Sequence, residues 1–193
     1  PTPIPVPPPV KSGKIVAGYL PNWDGYPKRL QDFDAAYNTI FLFNAVPTGS
    51  GNVSFQSLGG SFLSDCKAFR AEGRKLILTV GGANAGFGLN SRQESNNFLA
   101  SIDRIYAQLG GLDGLDWDNF EAGQLPTTGE MIYASQQLKN KYGQNFSISA
   151  PPAPWRQADK DLAVAMKNAG ILGFGGRQFD DGDGTCASTE GQA

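Results

Sequence analysis

Asp116 and Asp118 stand two residues apart in the stretch Gly111-Leu112-Asp113-Gly114-Leu115-Asp116-Trp117-Asp118-Asn119-Phe120-Glu121, and that spacing is the strongest chemical signal in the chain. In a strand, residues two apart project to the same face, so both carboxylates share one surface of an otherwise apolar run. Repulsion and desolvation push one pKa of such a pair upward, and a fold keeps that cost where it handles protons or a cation. The cation reading is the weaker one. Asp116-Trp117-Asp118 lacks the glycine and the distant glutamate of an EF-hand loop, so no metal is expected. The chain contains no histidine, which excludes Ser-His-Asp and Cys-His catalysis and the usual histidine-containing zinc sites. Chemistry here falls to carboxylates, with no cofactor.

The elements that position those carboxylates form a repeat. Short apolar runs at 14–19, 39–44, 75–80, 114–118, 146–150 and 172–179 read as strands covered on both faces. Helical patterns lie between them. Phe62, Cys66 and Phe69 recur at helical spacing before the third strand, and Phe98, Ile102, Ile105 and Leu109 before the fourth. Thr127 and Glu130 have capping-box spacing at the start of a helix carrying Met131, Leu138 and Tyr142, and Leu162 and Met166 mark a last helix ended by Gly170. A βα repeat of this period predicts a parallel sheet, either open or closed as a barrel. Polar or glycine-rich clusters follow the strands: Pro21-Asn22-Trp23, Asn44, Gly81-Gly82, Asp116 with Asp118, Pro154-Trp155, and Gln178 with Asp180. In a barrel such groups ring one mouth.

Composition bounds the remaining choices. The 193 residues, 40% of them hydrophobic, suffice for one sizeable core. Net charge is −2 and the lysines and arginines form no basic stripe, so no nucleic-acid partner is expected. No run of about 18 apolar residues occurs, so no membrane partner is expected, and the sequence as given carries no signal peptide. Residues 1–9 hold six prolines, which favours an extended segment, and residues 1–13 are read as a Pro-rich linker or arm. Cys66 reads as buried on a helix face, and a bridge to Cys186 in the glycine-rich tail is not expected. Gly81-Gly82-Ala83-Asn84-Ala85-Gly86 lacks the Lys-Ser/Thr of a phosphate loop, and Asp180-Asp181-Gly182-Asp183-Gly184 reads as a solvated turn. Asn52-Val53-Ser54 and Asn145-Phe146-Ser147 match glycosylation acceptor triplets, a weak pattern consistent with secretion.

From Lys14 onward the chain resembles glycoside hydrolase family 18, the chitinases and their non-catalytic lectin relatives. The family's D-G-x-D-x-D-x-E strand is matched by Asp113, Gly114, Asp116 and Asp118. Its S-x-G-G strand end is similar to Thr79-Val80-Gly81-Gly82, and Ala17-Gly18-Tyr19-Leu20-Pro21-Asn22-Trp23 looks like its opening strand. The resemblance implies an α/β fold, a parallel (βα) barrel of TIM type, over residues 14–193, of which six βα units are readable and the C-terminal units are missing. It departs at two places. The family's acid position holds Phe120, with Glu121 one residue later, where only a bulge at the strand end would turn it toward the Asp face. In the plant-type Q-F-Y-N motif, the tyrosine position is occupied by Asp180 of Gln178-Phe179-Asp180-Asp181.

What the resemblance implies is a secreted, extracellular protein whose partner is an N-acetylglucosamine-containing glycan of the chitin type. As an endo-acting hydrolase it would use a substrate-assisted mechanism, the sugar's own acetamido oxygen attacking the anomeric carbon. Glu121 would then protonate the leaving oxygen, Asp118 would hold the acetamide, and Asp116 would set the protonation of Asp118. Trp23 and Trp155 would stack on pyranose rings. Asp113, Tyr19, Gly81, Gly82, Gln178 and Asp180 complete the expected substrate-binding set. The alternative is a glycan-binding lectin whose acid was lost to Phe120. Retention of Asp113, Asp116 and Asp118 favours the hydrolase.

Overall fold

The computed structural model describes residues 14–23, 29–82, 85–86, 88–118, 126–152 and 157–175. Strands β1 (Ala17–Pro21), β2 (Thr39–Gly49), β3 (Asn52–Phe55), β4 (Lys75–Gly81), β5 (Gly114–Asp118), β6 (Ser147–Ala150) and β7 (Phe174–Gly175) belong to one sheet. Helices α1 (Phe62–Ala71), α2 (Arg92–Leu109), α3 (Thr128–Tyr142) and α4 (Gln157–Asn168) connect them. Along the order β1-β2-β4-β5-β6-β7 every pairing is parallel, so the six expected strands lie side by side in sequence order. The sheet forms a half-barrel covered by helices, as the βα repeat predicts. Among the described residues no helix is long and apolar enough to cross a membrane.

Why these segments form strands is clearest in β4, where Leu76 to Gly81 are all buried. A strand buried on both faces has no alternation to show, only a continuous apolar run. The helices show the complementary 3.6-residue stripe. Phe62, Cys66 and Phe69 of α1 and Phe98, Ile102, Ile105 and Leu109 of α2 are buried, as their spacing predicts. Burial pushes the Cys66 thiol up to about 12, with the neighbouring Asp65 charge acting in the same direction; it is an inert core residue. Cys186 lies outside the described residues.

Two local expectations change. The second strand does not stop at Asn44 but runs to Gly49 and turns back as β3, pairing antiparallel with Ala45 opposite Phe55 and Val46 opposite Ser54. Gly49, Ser50 and Gly51 all have positive φ (101°, 50° and 79°), the condition that glycine-rich hairpin turns satisfy. The hairpin presses onto α2, where Val53 N donates to Ser101 Oγ at 3.3 Å. The Asn52 amide is engaged too, donating to the Gly49 carbonyl at 3.2 Å and accepting from Ser101 Oγ at 3.2 Å. Asn52 is therefore a structural hairpin residue. At α3, Thr127 caps the helix by accepting from the Glu130 amide at 3.4 Å. The reciprocal half of the expected box is not made. Glu130 instead accepts from Arg92 at 3.0 and 3.2 Å and from Ser95 Oγ at 2.7 Å, tying α3 to α2.

Among the described residues, Trp117 is the largest fully buried side chain. It points away from the carboxylates, stacks on Phe98 at 5.0 Å between centroids, and donates its indole N–H to Ser135 Oγ at 3.0 Å. One side chain thus fixes β5 against both α2 and α3. Trp117→Ala is expected to lower stability by about 3–5 kcal/mol, read as a fall in the urea midpoint; a shift below ~1 kcal/mol would show that the helices hold β5 without it.

Candidate active site

Parallel register brings three polar residues into one row across the inner face of the sheet. Thr79 of β4 is level with Asp116 of β5, and Asp116 is level with Ser149 of β6. The Asp116 carboxyl accepts from all of its flanks. Oδ2 takes Thr79 Oγ1 at 3.2 Å and, from β1, the Tyr19 hydroxyl at 3.5 Å; Oδ1 takes Ser149 Oγ at 2.6 Å. Asp116 is 1% exposed and Asp118, one row further toward the strand C-termini, is 5% exposed. The two carboxylates are brought to one face as their spacing predicts, with Trp117 between them turned to the other.

The C-terminal ends of four strands are laced together beside this pair. Asn22, just past β1, donates its amide to the Asn44 carbonyl of β2 at 3.0 Å. Asn44 in turn donates its amide to the Gly81 carbonyl of β4, and the Gly82 amide donates to the Asp118 carbonyl of β5. Gly81 and Gly82, expected as substrate-binding residues, thus act on the backbone of the site. Gly82 has φ +99°, and a Cβ there would fall 2.4 Å from Phe43 Cζ. Only glycine lets the aromatic ring and the strand end approach so closely.

Aromatic surface lies at the same mouth. Tyr19 is 48% exposed and Trp23 is 63% exposed. Tyr19 stacks on Phe41 at 4.7 Å between centroids, and Phe43 meets both Tyr19 and Trp23 edge-on, at 5.8 and 5.5 Å. Tyr19 therefore has one ring contact with the core and one hydroxyl contact with Asp116, and Trp23 has a supported, solvent-facing ring. Such rings offer flat apolar faces while their polar ends stay hydrogen-bonded or wet.

Among the described residues, Asp113 is the expected site residue that lies away from the strand C-termini. It precedes the first residue of β5, where Arg70 of α1 donates to both of its oxygens at 2.9 Å and the Leu76 amide donates to Oδ2 at 3.0 Å. At about 3.3 Å per residue, the five steps from Asp113 to Asp118 place them roughly 16 Å apart at opposite ends of the strand. Asp113 anchors the N-terminal end of the barrel to α1. Glu121, Phe120, Trp155, Gln178 and Asp180 lie outside the described residues. Thr79, Ser149, Asn22 and Asn44 complete the local geometry; the first two share the strand parity of Asp116, a relation legible only once the register is known.

Burial raises the Asp116 carboxyl to about 6, and the hydrogen bonds from Ser149, Thr79 and Tyr19 oppose that rise. A group with this value changes charge near neutrality, as a proton-handling pair requires. The sign for stability follows. Because the folded-state pKa lies above the ordinary 3.8, neutral Asp116 favours folding fully below about 4, and that contribution is lost as pH rises through about 6. Urea unfolding of the wild type and Asp116→Asn at pH 4 to 8 is expected to show the wild type losing ground to the variant by on the order of 3 kcal/mol. A difference that stays flat over that range would contradict the assignment.

Comparison with known proteins agrees with this geometry. No protein-family model matches the chain. Chitinase Chi52 of Paenibacillus xylanexedens is 27% identical over 183 residues, covering 84% of this chain and 33% of its own length. Chitinase D of Niallia circulans is 27% identical over 187 residues, with the same coverage of 84% and 33%. The chain thus spans about a third of the length of these curated relatives. Among solved structures, a family 18 chitinase from Chromobacterium violaceum superposes with a TM-score of 0.69 at 29% identity, covering 81% of this chain and 47% of the other. In sequence and in fold the chain is thus similar to chitinases, among them a family 18 chitinase.

Proposed function

We propose that the chain binds β-1,4-linked N-acetylglucosamine glycans of the chitin type at the C-terminal mouth of its half-barrel and cleaves them by substrate-assisted, retaining hydrolysis. The observation that carries the reading is the buried Asp116, held by hydroxyls from three strands, with Asp118 on the same face and two exposed aromatic rings at the mouth. That arrangement suits a reaction in which positive charge develops on the substrate and no protein nucleophile is needed. Asp118 holds the acetamide N–H as the acetamido oxygen attacks the anomeric carbon and the glycosidic bond breaks. Asp116 behind it sets which carboxyl of the pair carries the proton. Glu121 supplies the proton to the departing oxygen, and water then opens the cyclised intermediate. Trp23 and Trp155 stack on sugar rings, and Gln178 and Asp180 line the same pocket.

Support comes from the relatives, whose names are those of chitinases. Chitin-type glycans are extracellular polymers, so on this reading the protein acts outside the cell. A second reading, a glycan-binding lectin, is favoured by one observation: Phe120 stands where the family's D-G-x-D-x-D-x-E pattern has its acid.

Activity separates the two. Removing a general acid costs about 10²–10⁴ in rate. Under the hydrolytic reading, Glu121→Gln lowers cleavage of a fluorogenic chitobioside by at least that factor, while calorimetric binding of chitin oligomers is kept. A wild type that binds the oligomers but cleaves nothing above background would establish the lectin, and Phe120→Glu would then be the variant in which a trace of turnover is restored. A wild type giving neither heat nor cleavage would remove both readings.

A further inference from the structure

The two oxygens of Asp116 are served from different strands. Oδ2 faces β4 and β1 through Thr79 and Tyr19, whereas Oδ1 accepts from Ser149 of β6 at 2.6 Å, the shortest of the three contacts. Ser149 is 1% exposed and Thr79 fully buried, so water does not compete for these bonds. We propose that Ser149 is a positioning residue for the carboxylate pair: its hydroxyl fixes the Oδ1 edge of Asp116 and favours the charged form of that carboxyl against the cost of burial. The proposal rests on the hydrolytic reading for its kinetic consequence and on geometry alone for its structural one.

A serine hydroxyl has a single proton to give, and an ionised carboxylate can only accept. At 2.6 Å the contact has the length of a charge-assisted O–H···O⁻ bond. Among the described residues, the groups facing Asp116 are the hydroxyls of Tyr19 from β1, Thr79 from β4 and Ser149 from β6, and the carboxylate of Asp118 on its own strand. The rings that β2 and β7 add to this face, Phe41, Phe43 and Phe174, carry no charge. No cation stands in that set, so the hydroxyls are what oppose desolvation there. Tyr19 is the longest contact and half exposed, which leaves Thr79 and Ser149 to hold one oxygen each.

The test follows the carboxyl directly. In protein labelled with ¹³C at the aspartate carboxyls, with the Asp116 signal assigned through D116N, the titration midpoint of Asp116 is expected to rise by about one pH unit in S149A. It should stay near the wild-type value in S149T, which keeps the hydroxyl. In the chitobioside assay the acidic limb of the pH profile should move up by a similar amount in S149A, with kcat falling and KM little changed. Should S149A fail to fold, S149C, with its weak thiol donor, carries the same expectation. A wild type with no turnover but with the shifted titration would support the role of Ser149 while removing the hydrolytic reading. A titration that superimposes on the wild type, or that shifts equally in S149A and S149T, would overturn the proposal.

Discussion

A carboxylate taken almost wholly out of water must be given donors by the strands on either side of it, and the Asp116 hydrogen bonds are the constraint on which the site's geometry depends. The cost of burying a charge without partners is several kcal/mol, a large share of a domain's net stability. Here it is offset by Thr79, Ser149 and Tyr19, from β4, β6 and β1. Those bonds exist in one register only. Slipping β5 by one residue would turn Asp116 and Asp118 toward the helices and Trp117 toward the barrel interior, placing two charges in the apolar layer.

The same alternation joins stability to chemistry. Trp117, between the two aspartates, locks the outer face of β5 through Phe98 and Ser135, while its neighbours on either side form the inner face. Asp113 and Arg70 fasten the lower end of the strand to α1, and the Gly82 amide fastens its upper end to β4. A strand of five residues is therefore held at both ends and on its outer face, which is how a side chain at its centre is kept in place. The links among Asn22, Asn44 and Gly81 extend that support to β1 and β2, so the exposed rings of Tyr19 and Trp23 stand on an ordered rim.

Much of this was legible in the sequence because it depends on periodicity. Continuous apolar runs marked the six parallel strands, the three- and four-residue spacing of Phe62, Cys66 and Phe69 marked the face of α1, and the Asp-Trp-Asp spacing marked which side chains share a face. What was not legible depends on pairing. The partners of Asp116 lie 37, 33 and 97 residues away, and no local pattern names them. The β2–β3 hairpin is the exception, since Gly49-Ser50-Gly51 carries a turn signal that a purely parallel repeat gives no reason to use. Asp113 matches the first acidic position of the D-G-x-D-x-D-x-E pattern, but an extended strand separates its ends, and Asp113 faces Arg70 instead. Glu130 followed the stronger attraction of Arg92 and Ser95 rather than the helix cap.

On the hydrolytic reading proposed above, Asp116 and Asp118 form a site built for a cyclised, positively charged acetamido sugar rather than for the ground-state glycan. The measurement that tests it most directly is calorimetric titration with a chitobiose thiazoline, a stable analogue of that intermediate, against chitobiose itself. The account predicts that the wild type binds the thiazoline at least ~10²-fold more tightly than chitobiose, and that Asp118→Ala abolishes the preference. Equal affinity for the two ligands, or a preference untouched by Asp118→Ala, would contradict it.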